Sequence, residues 1–281
     1  MTSPASTPSS SASAHPGLDA DLAFALRLAD AADAQTRHRF DAADLHVSRK
    51  ADRTHVTDAD LAAERAIREL IAAERPEDGV FGEEYGSSEP TERRWIIDPI
   101  DGTANFLRGV PVWGTMIALD FDGYPRLGVV SSPALGRRWW AAEGLGAWTS
   151  ADGENARAIR VSGVDDLDDA SVSFQSISQW DGAGRLGQLI ALSRRVWRDR
   201  AYGDVWSYML LAEGRLELVA EFGVKEYDLA AAAAIVTEAG GRMTSVEGAP
   251  TIADGSALAT NGILHDAFLE LLASAPPEAG V

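Results

Sequence analysis

Asp98 and Asp101 stand three residues apart, bracket Pro99 and Ile100, and run directly into Gly102 and Thr103. Carboxylate and carbonyl oxygens are hard donors and suit Mg²⁺. The proline stiffens the backbone between the acids, and the residues after them can offer backbone N–H groups to a phosphate. Paired cations at such a site activate a water and stabilise a leaving oxygen in one in-line step. Asp, Pro and Gly are also ordinary turn residues, so a surface turn accounts for the same residue types. The apolar run Trp95-Ile96-Ile97 argues for the site, because it reads as a buried strand delivering both acids at its C-terminal end. Three other places carry acids with possible chemistry: Gly82-Glu83-Glu84, Val56-Thr57-Asp58, and Asp228 at the head of an apolar stretch. Taken singly, the first is a solvated strand end and the other two are helix caps, each cap worth about 1 kcal/mol.

The elements that must position these residues can be read from periodicity. Leu18, Leu22, Ala25, Leu26, Ala29, Ala32 and Phe40 recur at helical spacing and predict an amphipathic helix over about 18–40. Lys50 to Val56 reads as a polar connection, and Thr57 or Asp58 as the cap of a second helix that ends before Pro76. Val80-Phe81 reads as a short strand, and Thr115–Phe121 and Leu127–Ser132 as strands joined at Asp122-Gly123. Arg138–Ala142 and Ala147–Thr149 continue that antiparallel pattern. Beyond Ala158, strands are expected at Ile159–Val161, Val172–Phe174, Leu216–Ala220, Arg242–Thr244 and Ala257–Thr260. Helices are expected over Arg185–Trp197, Val205–Ala212, Asp228–Ala239 and onward from His265, with Gly240-Gly241 ending the third. The mixture predicts an α+β half over 18–157 packed on an α/β half over 158–275.

Composition narrows the function. At 281 residues the chain can bury a large core. The 43 acids against 25 basic residues give a net charge of −18, which disfavours a nucleic-acid binder. There is no cysteine, so disulfides, thiolate metal sites and a cysteine nucleophile are excluded. Residues 1–17 hold almost nothing to bury and read as a disordered tail lacking the regions of a signal peptide. Ala275-Pro276-Pro277-Glu278 reads as another loose end. The apolar run Leu229–Val236 is too short to span a bilayer, so the expectation is a cytoplasmic protein with no membrane partner.

Together, Gly82-Glu83-Glu84, Trp95 through Phe106, and Tyr227-Asp228-Leu229-Ala230-Ala231 with Glu238-Ala239-Gly240-Gly241 resemble the inositol monophosphatase superfamily. The resemblance covers residues 18 to 272 and implies a layered αβαβα sandwich and a Mg²⁺-dependent, lithium-sensitive phosphatase. It implies that Glu83, Asp98, Asp101, Asp228 and the carbonyl of Ile100 hold two or three Mg²⁺ ions. It further implies that Thr103, paired with Asp58, orients the attacking water with Glu83 beside it, and that the Gly102 and Thr103 N–H groups receive the phosphate. A homodimer and a small phosphorylated metabolite as substrate also follow from it. Two positions depart from the family's pattern, Ala104 after the Asp-Gly-Thr triplet and Tyr227 before the last aspartate, and neither removes a ligand. The three-residue gap between Asp98 and Asp101 argues against haloacid-dehalogenase-type phosphatases, whose paired aspartates lie two apart.

Within the superfamily, Arg108 to Trp113, Ser132 to Leu135, Arg137 to Ala142 and Ala201 to Asp204 resemble bacterial histidinol-phosphate phosphatases of this fold. The resemblance places substrate contacts at Asp204 and Glu221, whose charges suit the ammonium and imidazole of histidinol; acidic surface is the plainer account of both. Trp139 and Trp140 read as core or interface aromatics. Arg194, Arg195, Arg198 and Arg200 read as a solvated helix face with its exit. The expected reaction is hydrolysis of L-histidinol phosphate in histidine biosynthesis. The alternatives are an inositol monophosphatase and a catalytically silent metal-binding interaction protein.

Overall fold

The computed structural model describes residues 17–50, 54–89, 91–121, 123–151 and 154–274. The expected tail, apart from Gly17, the loose end at Ala275–Glu278 and the turn residue Asp122 lie outside these. The first half contains α1 (Leu18–Thr36), β1 (Val47–Arg49), β2 (His55–Thr57), α2 (Asp58–Glu74), β3 (Gly79–Gly82), β4 (Gly86–Ser87), β5 (Arg93–Asp101), α3 (Thr103–Phe106), β6 (Gly114–Phe121), β7 (Tyr124–Ser132), β8 (Arg137–Ala142), β9 (Gly146–Ala151) and β10 (Glu154–Ile159). The second contains β11 (Ser171–Ser173), α4 (Ile177–Gly182), α5 (Leu186–Arg195), β12 (Arg198–Arg200), α6 (Asp204–Ala212), β13 (Leu218–Phe222), α7 (Glu226–Glu238), β14 (Arg242–Thr244), β15 (Ser256–Thr260) and α8 (His265–Ala273).

Among the described residues, eight strands pair in the order β10-β9-β8-β7-β6-β5-β3-β4 and five in the order β12-β11-β13-β15-β14. The period-two alternation of side chains assigns each strand's faces. In β5, Trp95 and Ile97 join the apolar faces of α1 and α2, whereas Ile96 points the other way, toward α6 and α7. In β13, Val219 joins that same inner layer, whereas Leu218 and Ala220 face Trp180, Leu189, Leu192 and Phe268 of α4, α5 and α8. The layers therefore run helix, sheet, helix, sheet, helix, the αβαβα order the resemblance implies. Trp139 is buried in the inner layer and Trp140 packs partly buried on the outer one.

Two local features aim the site. Between β5 and β6 the register slips, from Asp98 opposite Met116 to Asp101 opposite Gly114. Pro99 lies in this bulge, where its missing N–H disrupts no ladder bond, and the Thr115 hydroxyl caps its carbonyl at 2.8 Å. The second feature is the contact of α7 with the large sheet. Ala230 to Ala234 are buried, and a Cβ at Gly128 in β7 would stand 2.3 Å from the Ala231 carbonyl oxygen. Small residues on both sides bring α7 close, and a methyl at Gly128 would push its N-terminal acid away; overpacking of this kind costs about 1–3 kcal/mol.

Several elements differ from the sequence expectations. The first helix ends at Thr36, and Phe40 instead packs against Phe106 and Trp113 at 5.5 Å. The polar connection after Lys50 contributes to an antiparallel hairpin, with Ser48 opposite Val56 and Arg49 opposite His55. Arg198–Arg200 is an edge strand parallel to β11, not the exit of a solvated helix. Polar residues at an edge carry little periodic signal, and pairing with β11 overrides what there is.

Candidate active site

Asp98, Asp101 and Asp228 each place a carboxylate oxygen within 4.8 Å of the others. Asp98 is 2% exposed. In all three, one oxygen is tied to a backbone N–H: Asp98 to Ile100 at 3.0 Å, Asp101 to Val205 at 2.6 Å and Asp228 to Lys225 at 2.7 Å. These bonds fix the orientation of each group and leave a second oxygen for a ligand. No salt bridge among the described residues engages any of the three. Burial, with the charges of Glu83 and Asp101, pushes Asp98 well above the usual carboxylate range. Burial does the same to Asp101, helped by Asp204 and Asp228. Asp228 is pushed up to about 7, mainly by burial.

Glu83 follows β3 and stands beside this triad, close enough for its charge to raise Asp98 and Asp228. Its carboxylate accepts from Lys50 Nζ at 2.7 Å, and the same ammonium reaches Glu84 at 2.8 Å. Burial raises Glu84 to about 7 although Lys50 opposes it. The turn is held from below by Glu64 of α2, fully buried, which accepts the N–H groups of Glu84 at 2.7 Å and Tyr85 at 3.2 Å.

The partner of Thr103 is Asp60, not Asp58. Asp58 turns outward, its side chain 42% exposed, and accepts from Arg39 at 2.6 Å. Asp60 is fully buried and its Oδ1 lies 3.4 Å from the Thr103 hydroxyl, which also stands 3.0 Å from the Ile100 carbonyl. The reason is helical geometry. Thr57 caps α2, its hydroxyl accepting from the N–H groups of Ala59 and Asp60, and Asp60 folds back on the Thr57 N–H at 2.8 Å. That is a capping box, which faces the third helical residue toward the cap and the first away from it. The Thr57-x-x-Asp60 spacing was the available sequence signal. Burial lifts Asp60 to about 6 despite the Thr57 hydrogen bonds.

Gly102 opens α3 at φ +85°, and a Cβ there would lie 3.0 Å from the Val112 carbonyl. Glycine is therefore required on both conformational and spatial grounds. The first N–H groups of the turn have no acceptor within it and are suited to an anion.

A cavity of about 190 Å³ joins the triad to the second half of the chain, lined among others by Asp101, Gln175, Gln179, Asp204, Glu221 and Asp228. Asp204 and Glu221 thus meet the acids of β5 and α7 in one space. Asp204 accepts from Asn105 Nδ2 at 2.6 Å. Glu221 is buried, accepts from the Tyr208 hydroxyl, and is raised to about 7 chiefly by burial. Gln175, Gln179 and Tyr208 are functional candidates that the sequence reading missed. A larger cavity of about 520 Å³ lies between α1 and the β7–β8 region, where Asp30 and Asp33 are already tied to Arg138. It holds none of the clustered acids.

The triad fits a divalent cation. Its donors are all oxygens, they converge, and burial together with mutual repulsion disfavours their ionisation unless a cation offsets the charge. Asp98, Asp101 and Asp228 would hold such an ion, with Glu83 and the Ile100 carbonyl adjoining.

Comparison with known proteins agrees with this geometry. Residues 18–277 match the model of the inositol monophosphatase family. A histidinol-phosphatase from Mycobacterium tuberculosis is 54% identical over 253 residues, covering 90% of this chain and 97% of that protein. A histidinol-phosphatase from Streptomyces coelicolor is 52% identical over 256 residues, covering 90% and 96% respectively. Among solved structures, an inositol monophosphatase from Zymomonas mobilis superposes with a TM-score of 0.80 at 32% identity, covering 92% of this chain and 99% of that one. The chain is a phosphatase and belongs to the inositol monophosphatase family.

Proposed function

We propose that this phosphatase hydrolyses L-histidinol phosphate to L-histidinol and inorganic phosphate, a step of histidine biosynthesis. The observation that carries the reading is the identity above 50%, over nine-tenths of the chain, to two histidinol-phosphatases. The site supplies a physical reason: the cavity that adjoins the triad is walled by Asp204 and Glu221, and acids there suit a substrate bearing an ammonium.

The roles follow from position. The N–H groups of Gly102 and Thr103 receive the phosphate. Thr103 accepts a hydrogen bond from the attacking water while donating to Asp60 Oδ1. Asp60, poised near pH 6, takes the proton that the water releases. Glu64 keeps the Glu83 turn in place, and Asn105 holds Asp204 toward the substrate. Asp98, Asp101, Asp228, Glu83 and the Ile100 carbonyl bind the metal. When bound, Mg²⁺ supplies Lewis-acid neutralisation of the phosphoryl oxygens and lowers the pKa of a coordinated water.

The oxygen-only donor set supports Mg²⁺, two or three ions per site, as the cofactor. The family resemblance supports a homodimer. A cytoplasmic location fits the pathway, and no helix among the described residues is long and apolar enough to cross a membrane. The test is phosphate release from L-histidinol phosphate, inositol 1-phosphate, fructose 1,6-bisphosphate and a nucleoside 3′,5′-bisphosphate, each with Mg²⁺ and with chelator. Preference for histidinol phosphate by about ten-fold or more is expected, with no turnover in chelator. A preference for inositol 1-phosphate overturns the substrate assignment.

A further inference from the structure

We propose that Tyr208 is a positioning residue for substrate choice: its hydroxyl holds one oxygen of Glu221 so that the other meets the cationic end of the substrate. The inference rests on the histidinol phosphate reading and deepens it, because it names what aims one of the two acids of the selective wall.

The first observation is a hydroxyl on a core side chain. Tyr208 is 1% exposed and packs in the inner layer, among the residues that include Val205 and Met209. A phenylalanine would fill the same place, so the hydroxyl adds only what it bonds. Its partner is Glu221 Oε1. Glu221 is 4% exposed, and no salt bridge and no other hydrogen bond among the described residues engages its carboxylate. A buried acid with a single neutral donor is unfavourable by itself and is completed by a charge that arrives from outside. Burial and the charge of Glu221 push the Tyr208 hydroxyl well above its ordinary range, so it stays a donor.

The second observation is where the free oxygen lies. Glu221 Oε2 has no partner among the described residues and is not sealed from solvent, so it opens on the cavity that Glu221 lines. A glutamate side chain has three torsions and can swing such a group aside. The bond to Tyr208 removes that freedom and sends Oε2 toward the cavity.

The third observation is the helix that carries the tyrosine. Asp204 and Tyr208 are four residues apart in α6, so they share one face, and both line the cavity. Strand alternation puts Glu221 on the same side of β13 as Val219, toward that face. The head of α6 is itself tied to the phosphate side, through the Val205 N–H to Asp101 at 2.6 Å and through Asn105 to Asp204 at 2.6 Å. One helix therefore sets both acids of the selective wall at a fixed place relative to the triad. A charge-assisted bond to a cation needs that placement, whereas a neutral substrate hydroxyl gains less from it.

A merely structural tyrosine, present only to satisfy Glu221, would act on stability and on all substrates alike. The test uses the full chain with Mg²⁺ and compares L-histidinol phosphate with inositol 1-phosphate, which carries no cation. Tyr208→Phe should raise KM for histidinol phosphate about five-fold more than for inositol 1-phosphate, with kcat little changed. An unchanged KM, or equal losses on both substrates, overturns the proposal. Glu221→Gln should show the same selectivity, and adding Tyr208→Phe to it should change KM by less than about two-fold, because the tyrosine acts through the acid. Losses that multiply in the double variant overturn it. Where Tyr208→Phe does not fold, Glu221→Asp decides, since it keeps the charge but draws the carboxylate one methylene back from the hydroxyl. It should raise KM for histidinol phosphate selectively, and an unaltered KM overturns the need for positioning. If the unmodified chain does not turn over histidinol phosphate, the substrate reading itself fails. If it does, and Glu221→Gln is selective while Tyr208→Phe is not, only the role of Tyr208 fails.

Discussion

The two walls of the active-site cavity are built in opposite ways. The phosphate side comes largely from one uninterrupted segment, Asp98 to Thr103, which supplies two triad acids, a carbonyl, two N–H groups and a hydroxyl. A bulge, a proline and an obligatory glycine set its geometry locally. The opposite wall is gathered from separate places: Gln175 after β11, Gln179 in α4, Asp204 at the head of α6, and Glu221 in β13. It is joined by side-chain bonds such as Asn105 to Asp204 and Tyr208 to Glu221. On the proposed reading, the first wall handles the phosphate that every substrate shares. The second handles the part that differs, and it can change residue by residue without disturbing the first.

If that division holds, damage to the first wall removes catalysis on every substrate. Asp101→Asn should lower kcat on histidinol phosphate and inositol 1-phosphate alike, by about 10³-fold or more, since metal ligation carries several kcal/mol of transition-state stabilisation. The fold should survive, because removing one of three mutually repelling acids relieves strain in the metal-free protein. Circular dichroism and a melting curve in chelator check that. Substantial turnover by this variant, or by the wild type in excess chelator, breaks the account of the phosphate side.

The next effect separates two aspartates that sequence alone confuses. Asp60→Asn and Thr103→Ala should each lower kcat by about 10²–10⁴ with little change in KM, the range for a positioned proton acceptor. The double variant should be little worse than either single one, because the pair acts as a unit. Asp58→Asn should stay within about two-fold, since exposed pairs such as its contact with Arg39 contribute little. A large loss at Asp58 with none at Asp60 would reverse the assignment.

That pair also shows what the sequence could and could not disclose. The acids of β5 were legible from a local rule, an apolar strand ending in acids, whereas the layered order and the part played by Asp228 came through the family resemblance, because an acid heading an alanine-rich helix reads by itself as a cap. Asp60 was within reach, but only by treating Thr57 as a cap and asking which residue completes the box. Gln175 and Gln179 were out of reach. Gln175 takes its position from a left-handed backbone and from its bond to the N–H of Asp204 in the next part of the chain, Gln179 from a short helix, and glutamine in a polar stretch has no distinguishing pattern. The β1–β2 hairpin was missed for a related reason. Its residues are polar, and Lys50 finds its purpose only in the fold, against Glu83 and Glu84.

The selective wall is tested by neutralising its acids. Asp204→Asn and Glu221→Gln should each raise KM for histidinol phosphate, by about 10-fold or more, as expected for loss of a charge-assisted hydrogen bond worth about 1.5–3 kcal/mol. Inositol 1-phosphate has no cation and should be affected far less. Parallel kinetics on the two substrates give the answer. Equal losses would move both acids to the phosphate side and erase the division between the walls.

The smallest effect concerns the stability of the acidic cluster without metal. Asp98 and Asp101 are raised well above the usual range, and Asp228, Glu84 and Glu221 sit near 7, all mainly through burial. In the unfolded chain carboxylates titrate near 4. A carboxylate raised on folding stabilises by staying protonated, and that contribution is lost as pH rises through its folded pKa. His265 acts in the opposite sense at lower pH. It is buried and lowered to about 4, so folding releases its proton, and stability from this group rises with pH up to about 6.5. Above that value His265 is neutral in both states, and the raised buried acids, the cluster foremost among them, set the slope. In chelator, therefore, the melting temperature should fall by a few degrees between about pH 6.5 and pH 8, at roughly 2–4 °C per kcal/mol for a chain of this size. Mg²⁺ binds the ionised acids, so saturating Mg²⁺ should raise the curve and flatten it, and more so at pH 8 than at pH 6.5. Asp101→Asn should reduce the slope in chelator, whereas Asp58→Asn should leave it unchanged. A melting temperature that rises with pH in chelator would show that the triad is not the crowded, repelling group its geometry describes, and a flat one that the crowding has no energetic weight.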